Sequence, residues 1–558
     1  MNEISDQELF KKGVENYKNK NFSKAKEIFE KVLNNNSKNF SILENLSLVY
    51  HELKMYSEAE NTLKKIIKLG KKDIRVFNFL FKVLKEQDKM DELEEFINLG
   101  IKEVNLNKRY NFIRYLIFPQ INIDNKEIVS RRNRIENFID KFNESEEVAN
   151  LDIDKEVIDC PTFYYSYDQF DNLNLNKKFN TFFKKIYPVL NQNDFINKNK
   201  NRRVKIGFIS EFFSNHTISK LFKGLILKLN REKFEVNVFH LETTKKSQDF
   251  SNYLEEEIKS DFKNIILPKK FNEKIRIIKS SGLDIIFYPD IGMSNQLYFL
   301  TFLRLAKFQI TSWGHPETTG NSKIDYFLSS KLIETNNAQK KYSEKLVLFN
   351  NLPMYYYKPK IYNILSDEEI CQKNIYSCSQ TLVKIHPDFD EIIKKILEKD
   401  PAAKIYFVKD KNYTLYKKLS TRFKKNINSN MDKIIFVDQM TNENWINFCG
   451  KASVLLDPLY FGSGNSFHES MLYGTPTVSL PSEYMKSRIV YGAYKQMKID
   501  NPPIVNSIDE YVSKAVELAN YKKKNILDNK KSLQNSANKF LYENNGFLNE
   551  IEDFLLSL

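Results

Sequence analysis

Residues 452–479 read ASVLLDPLYFGSGNSFHESMLYGTPTVS, and the order of their parts decides the fold. ASVLLD (452–457) is an apolar run of strand character, and Pro458 ends its ladder because proline has no N–H to give. The loop Phe461-Gly-Ser-Gly-Asn-Ser comes next. Gly462 and Gly464 allow unusual backbone angles and the close approach of a ligand. A helix is predicted from Asn465 or Ser466 to Tyr473. Its free N–H groups and its dipole favour an anion at the loop, and a diphosphate is the obvious one. No Gly-Lys-Ser/Thr comes after it, so this is not a Walker loop, and the GxGxxG of dinucleotide sites is absent. Ser466-x-x-Glu469 also reads as a capping box, in which Glu469 would close its own helix.

Strand, ligand loop and helix in this order belong to a parallel α/β sheet, and the flanking sequence repeats the theme. From Arg203 onward, VKIGFIS, FEVNVFHL, NIILP, LDIIFYPD and FQITSW are strand-like runs separated by helical stretches such as 217–230. A second set begins near residue 380, with QTLVKIHP, AKIYFVKD, KIIFVDQ, ASVLLDP and TPTVSLP. A loop-rich stretch, roughly 331–376, divides the sets. Alternating strands and helices predict parallel sheets covered on both faces, here as two Rossmann-like lobes facing a cleft. Ligands in such sheets bind beyond the carboxyl ends of the strands, where the 461–466 loop lies.

The first hundred residues obey another rule. Ala25, Ala59 and Leu93 recur at intervals of 34, as do Phe22, Tyr56 and Met90, then Phe29, Leu63 and Ile97, then Gly13, Ser47 and Phe81. A 34-residue period of helix pairs is that of the tetratricopeptide repeat. The third unit departs from it, with Leu93 for the small Ala and Phe81 for the small partner, and reads as a divergent or capping unit. The repeats are either a concave protein-binding surface or a short structural cap on the rest of the chain. Residues 106–200 read as mostly helical connecting structure, with breaks at Pro119, Pro161 and Pro188, and are too apolar for a disordered linker.

Composition bounds the rest. The chain has 558 residues, enough for several domains, and 41% of them are hydrophobic. The four cysteines (Cys160, Cys371, Cys378, Cys449) and six histidines are scattered without metal-ligand spacing, so a zinc site is not expected. The net charge of +14 comes with no arginine-rich face interleaved with aromatics, which argues against nucleic acid as the partner. No apolar run approaches the length of a membrane span, and the polar N-terminus lacks a signal-peptide core, so a cytoplasmic protein is expected. Of the two D-x-D triplets, Asp152–Asp154 and Asp388–Asp390, neither sits just after a strand as a metal-dependent transferase requires.

LDPLYFGSGNSFHESMLYGTPTVSLPSEYMKSR (456–488) resembles the nucleotide-binding signature of the O-GlcNAc transferase family, in particular its bacterial members that join tetratricopeptide repeats to the catalytic module. RRVKIGFISEFFSNHTISKLF (202–222), FQITSWGHPETTGNSKIDYFLSS (308–330), YSEKL (342–346) and QTLVKIHPDFD (380–390) resemble further family stretches in the family's order. PTFYYSYDQFDNLNLNKKF (161–179) resembles the segment that precedes the module. The resemblance implies a family 41 transferase with a two-lobed GT-B fold. Repeats would occupy 1–105, the connecting region 106–200, the first lobe and inter-lobe segment 201–376, the second, UDP-sugar-binding lobe 377–505, and terminal helices 506–558. It implies metal-independent, inverting transfer from a UDP-sugar to protein hydroxyls, with no cofactor.

By the same resemblance, Lys384 is the lysine that neutralises the leaving UDP, with Gln380 as a uridine or diphosphate contact. The spacing between them is one residue longer than in the animal enzyme. Asn465 and Ser466 match small residues that donate to the diphosphate. Glu469 matches an acid at the ribose, the alternative being the capping box. Gly464 stands where the animal enzyme has a histidine, so that contact is absent. His216, between a strand end and a helix start, matches an essential histidine. The helix N-terminus would keep it neutral, to take a proton or to hydrogen-bond the sugar. His315 is expected in a strand-end loop facing the cleft, Arg488 and Lys486 to hold the donor or close the lobe, and Trp445 to stack on uracil or pack. Asp284 and Asp290 are acids, bases or caps, and His386 and His468 are structural.

The expected partners are therefore a UDP-sugar and an acceptor protein docked by the repeats, which can also pack as dimers. Other acceptors, polysaccharide, lipid-linked or Asn, keep the same fold. A repeat scaffold with a decayed transferase module is the non-enzymatic alternative.

Overall fold

The computed structural model describes residues 5–159, 162–192, 203–214, 216–241, 262–411, 413–428 and 430–558. Cys160, Pro161 and the 193–200 end of the connecting region lie outside these. The chain divides into two compact units, Met1–Ile121 with Lys411–Lys418, and Asn122–Asp410 with Leu419–Leu558.

In the first unit the 34-residue period becomes three helix pairs: Asp6–Lys18 with Phe22–Asn35, Phe40–Glu52 with Tyr56–Lys68, and Ile74–Glu86 with Met90–Glu103. Ser5, Asn39 and Asp73 cap the first helix of each pair through their side chains. A Cβ at Gly13 would stand 2.6 Å from the Phe29 ring, so the small residue is what lets that pair close. In the third unit Phe81 takes this place and turns to a new partner, the Tyr110 ring 5.2 Å away, as a terminal repeat must. The unit runs on to Ile121 and so takes in the start of the stretch expected to connect.

The second unit holds two parallel sheets. The larger comprises β1 (Val204–Ile209), β2 (Phe234–Leu241), β3 (Phe262–Leu267), β4 (Ile285–Tyr288), β5 (Phe308–Ser312), β6 (Tyr326–Ser330) and β7 (Lys345–Phe349), in the order β3-β2-β1-β4-β5-β6-β7. The smaller comprises β8 (Ile375–Cys378), β9 (Lys404–Val408), β10 (Ile434–Val437), β11 (Val454–Leu456) and β12 (Thr477–Val478), in the order β10-β9-β8-β11-β12. The strands read as continuous apolar runs because both faces are covered. Strand order reverses between β1 and β4 in one sheet and between β8 and β11 in the other. A crevice opens at each such switch point, and the segments leaving β1, β8 and β11 carry His216, Lys384 and the glycine loop.

Some local expectations fail. The loop-rich stretch 331–376 also holds β7, the edge of the first sheet. QTLVKIHP is not a strand: β8 ends at Cys378, and Leu382–Lys384 is a single 3-10 turn. The helix after the glycine loop ends at Ser470 and not at Tyr473. Of the terminal helices, Ile508–Ala519 packs on the second sheet, while Asn545–Leu556 returns to the first, with Phe547 5.4 Å from Phe349 and Phe554 5.3 Å from Tyr326. Among the described residues no helix is long and apolar enough to cross a membrane.

Candidate functional site

A cavity of about 550 Å³ opens between the two lobes. His216, Lys384, Gln380, Gly464, Asn465, Ser466 and Glu469 all line it, with Trp445 also on its wall. The sequence therefore brought seven of its ten candidate residues to one place.

The floor is a chain of oriented hydrogen bonds. Lys384 Nζ donates to Gln380 Oε1 (2.9 Å) and to the Gly462 carbonyl (3.1 Å), and Gln380 Nε2 donates to Ser466 Oγ (2.6 Å). An ammonium only donates, so Lys384 fixes which end of the Gln380 amide is which. The Ser466 hydroxyl, already accepting, keeps its own hydrogen for a ligand. Tyr356 OH donates to Asn465 Oδ1 (2.7 Å), leaving the amide Nδ2 as the donor end. The floor thus offers donors, as an anion requires. Burial lowers Lys384 to about 8, while nearby Asp457 opposes the shift, and its ammonium lies 4.9 Å over the Phe461 ring.

The capping-box reading of Glu469 does not hold. Gly464 is the N-cap of Asn465–Ser470 without a side-chain cap, and Ser466 is held by Gln380. Glu469, 4% exposed, instead accepts from Lys220 Nζ, which also donates to Asn442 Oδ1 at 2.7 Å.

His216 is itself the N-cap of the helix Thr217–Lys228. Its Nδ1 accepts the N–H of Ile218 at 3.2 Å and its ring stacks on Phe212, 4.6 Å away. Burial, then the charge of Lys220, lowers it to about 4, so the ring is neutral at neutral pH. With Nδ1 accepting, the single hydrogen resides on Nε2. His216 in this state donates, and it takes a proton only by giving up its cap.

His315 departs from expectation. It does not line the cavity. Its Nδ1 donates to the Ile291 carbonyl (2.8 Å), its Nε2 accepts from Ser166 Oγ (2.8 Å), and its ring stacks on Phe163. A Cβ at Gly292 would come within 2.8 Å of that ring, so the glycine makes its room. Arg488 is also away from the cavity, donating to the carbonyls of Ile333 and Ser482. Buried Lys486 pairs with Glu317 at 2.8 Å, so both cations close the lobes. Gly462 lies just behind the floor, its carbonyl on Lys384. Asp284 accepts the Lys205 N–H, and Asp290, pushed up by burial to about 7, accepts from Ser210 Oγ. Asp390 is gripped by Arg422, and Asp388 accepts from Tyr460 and Asn125.

Three contributors went unread in the sequence. Asp457 follows β11 directly and fixes the loop by accepting from the Ser463 N–H and Ser479 Oγ, both at 2.6 Å. An acid directly after a buried strand was its signal. Lys220 lies four residues after His216 on one helix, the spacing of a shared face. Tyr356, in the crossing between lobes, had no local signal. The connecting segment adds a support: the Tyr167 ring packs 4.7 Å from that of Phe461 in the glycine loop.

Residues 168–374 match the model of glycosyl transferase family 41. Over this stretch the chain is similar to glycosyl transferase family 41. Over 341 residues the chain is 27% identical to a probable UDP-N-acetylglucosamine–peptide N-acetylglucosaminyltransferase, SEC, of Arabidopsis thaliana, covering 57% of this chain and 33% of that protein. Over 279 residues it is 23% identical to a UDP-glucose:protein N-beta-glucosyltransferase of Actinobacillus pleuropneumoniae serotype 5b, covering 48% of this chain and 42% of that one. The chain thus spans less than half the length of these curated relatives. The fold matches that of an O-GlcNAc transferase from Thermobaculum terrenum with a TM-score of 0.65 and 16% identity, over 98% of this chain and 96% of that one. That likeness fits a repeat region followed by a GT-B pair of lobes, and the stretch matched by the family model runs from the connecting region through the first lobe.

Proposed function

We propose that the protein transfers a sugar from a UDP-sugar to a protein side chain, with the donor's diphosphate on the floor of the inter-lobe cavity. The observation that carries this reading is the Lys384–Gln380–Ser466 chain with the Tyr356–Asn465 bond beside it, which together leave a lysine, a hydroxyl and an amide as donors around one space. Glu469 would accept from the ribose and Trp445 would flank the base. In the transfer, the acceptor atom bonds to the anomeric carbon on the face opposite the phosphate, giving inversion. The bond from that carbon to the phosphate oxygen breaks, its electron pair leaves on UDP, and the acceptor's proton passes to water. Lys384 stabilises that charge as it builds, the role a metal plays elsewhere. His216, its hydrogen on Nε2, serves as a hydrogen-bond donor to the donor substrate. The helical repeats would hold the acceptor protein.

A Ser or Thr hydroxyl is the acceptor favoured by the resemblance of residues 456–488 to the O-GlcNAc transferase family. The protein N-glucosyltransferase relative favours Asn as the second reading. Calorimetry with UDP in the presence of EDTA tests the donor site. The wild type is expected to bind in the micromolar range, and absence of binding moves the weight to a non-enzymatic scaffold. UDP-sugars are then screened for hydrolysis, and the linkage on modified peptide, read by mass spectrometry, separates hydroxyl from amide acceptors.

A further inference from the structure

The Lys220–Glu469 pair is an ion pair at the cavity that a ribose on Glu469 would have to open. Lys220 comes from the first lobe, on Thr217–Lys228; its two partners, Asn442 and Glu469, come from the second. The Lys220 side chain is 32% exposed and that of Glu469 only 5%, so the lysine is the half of the pair that can turn to another partner. The same three residues also line a neighbouring cavity of about 330 Å³, so the bridge is the partition between the two spaces.

Charge adds a second argument. Lys220 and Lys384 are the only lysine or arginine side chains lining the cavity among the described residues, and Glu469 is its only acid. With Lys220 tied to Glu469, a single cation faces a diphosphate carrying at least two negative charges. A ribose diol, in contrast, offers neutral O–H donors that satisfy Glu469 without a cation.

We infer, resting on the donor site proposed above, that Lys220 is a latch and a second phosphate cation. In the empty protein it satisfies Glu469 and joins the lobes; when the ribose takes Glu469, Lys220 passes to the diphosphate. The ligand thereby exchanges one pairing for two, with no buried charge left alone. The same exchange favours a nucleoside diphosphate over a nucleoside, since only the diphosphate gives the released ammonium a partner.

Binding of uridine and of UDP to the full chain, measured by calorimetry, tests this. The quantity read is the ratio of the two affinities. In Lys220→Met, uridine is expected to bind as well as or a few-fold better than in the wild type. UDP is expected to bind at least about tenfold more weakly, so that the ratio falls by that factor or more. Lys220→Arg, which keeps the charge, is expected to retain most of the ratio. Glu469→Gln, which leaves Lys220 untouched, is expected to weaken uridine and keep the ratio. An unchanged ratio in Lys220→Met overturns the inference, including the case in which both ligands weaken equally because the lysine only holds the lobes together. Failure of the wild type to bind UDP overturns the donor site beneath it, an outcome distinct from an unchanged ratio.

Discussion

Two histidines stand at the same kind of place and do different things. His216 comes after β1 and His315 after β5, both at the carboxyl edge of one sheet. At His315 each ring nitrogen has a partner within the protein, a carbonyl and a serine hydroxyl. At His216, among the described residues, only Nδ1 is used, and the residue lines the cavity. Topology brought both to the edge where ligands bind. Function depends on which polar atoms the fold leaves for another molecule, and that is a property of the neighbours each ring meets: Ser166, Ile291 and Phe163 for the one, Ile218 and Phe212 for the other.

The largest expected effect falls where an unused donor is also charged. Lys384→Met should weaken UDP binding by about a hundredfold, the scale of a lost charge-assisted bond in a buried site. Protonation gives the same test without mutation. Burial holds Lys384 near 8, and a neutral lysine gives an anion no charge, so UDP affinity should fall as pH rises through about 8, by at most about tenfold per unit. The stability contribution has the opposite sign. Between about 8 and the unfolded value near 10.4 the unfolded chain binds the extra proton, so this group's contribution rises with pH. Lys384→Arg should flatten the binding profile. A wild-type profile equally flat between pH 7 and 9 would place the cation elsewhere.

The histidines come next, and the comparison can be broken directly. His315→Ala takes the ring donor from the Ile291 carbonyl, leaves Ser166 Oγ only its bond to the Thr162 carbonyl, and empties the space beside the Phe163 ring. It should cost about 2–4 kcal/mol of stability, with UDP affinity of the folded protein within about twofold. His216→Asn keeps a good N-cap and removes the Nε2 donor. Its melting temperature should stay close to the wild type's while transfer or hydrolysis of the donor falls about a hundredfold, the usual effect of losing a donor aimed at developing charge. If His315→Ala lowered UDP affinity as much as His216→Asn lowers turnover, the division between the two sites would be wrong.

The repeats were legible because a 34-residue period is local and redundant: each position is written three times. The sheets were legible because strands buried on both faces are continuous apolar runs. QTLVKIHP reads as a strand because it is apolar in the same way, and sequence pattern does not tell a strand from a 3-10 turn packed on one. Glu469 kept two readings because both are local patterns; the contact that decided between them comes from Lys220, 249 residues away. Tyr356 illustrates the limit, since its bond to Asn465 spans 109 residues and neither residue type announces it.

The smallest effect separates the two glycines of the opening loop, which look alike in the sequence. A Cβ at Gly462 would lie 2.9 Å from Oδ2 and 3.2 Å from Oδ1 of Asp457. That carboxylate cannot easily yield, because it already holds the Ser463 N–H and Ser479 Oγ. A Cβ at Gly464 would meet nothing closer than the Trp313 ring at 3.5 Å, an ordinary contact. Gly462→Ala should therefore shift the loop and the carbonyl that Lys384 uses, weakening UDP by about tenfold and costing about 1–2 kcal/mol. Gly464→Ala should change binding by no more than about threefold. The reverse order would mean that the ligand packs against the Gly464 backbone, and that close approach there matters more than the Asp457 support behind Gly462.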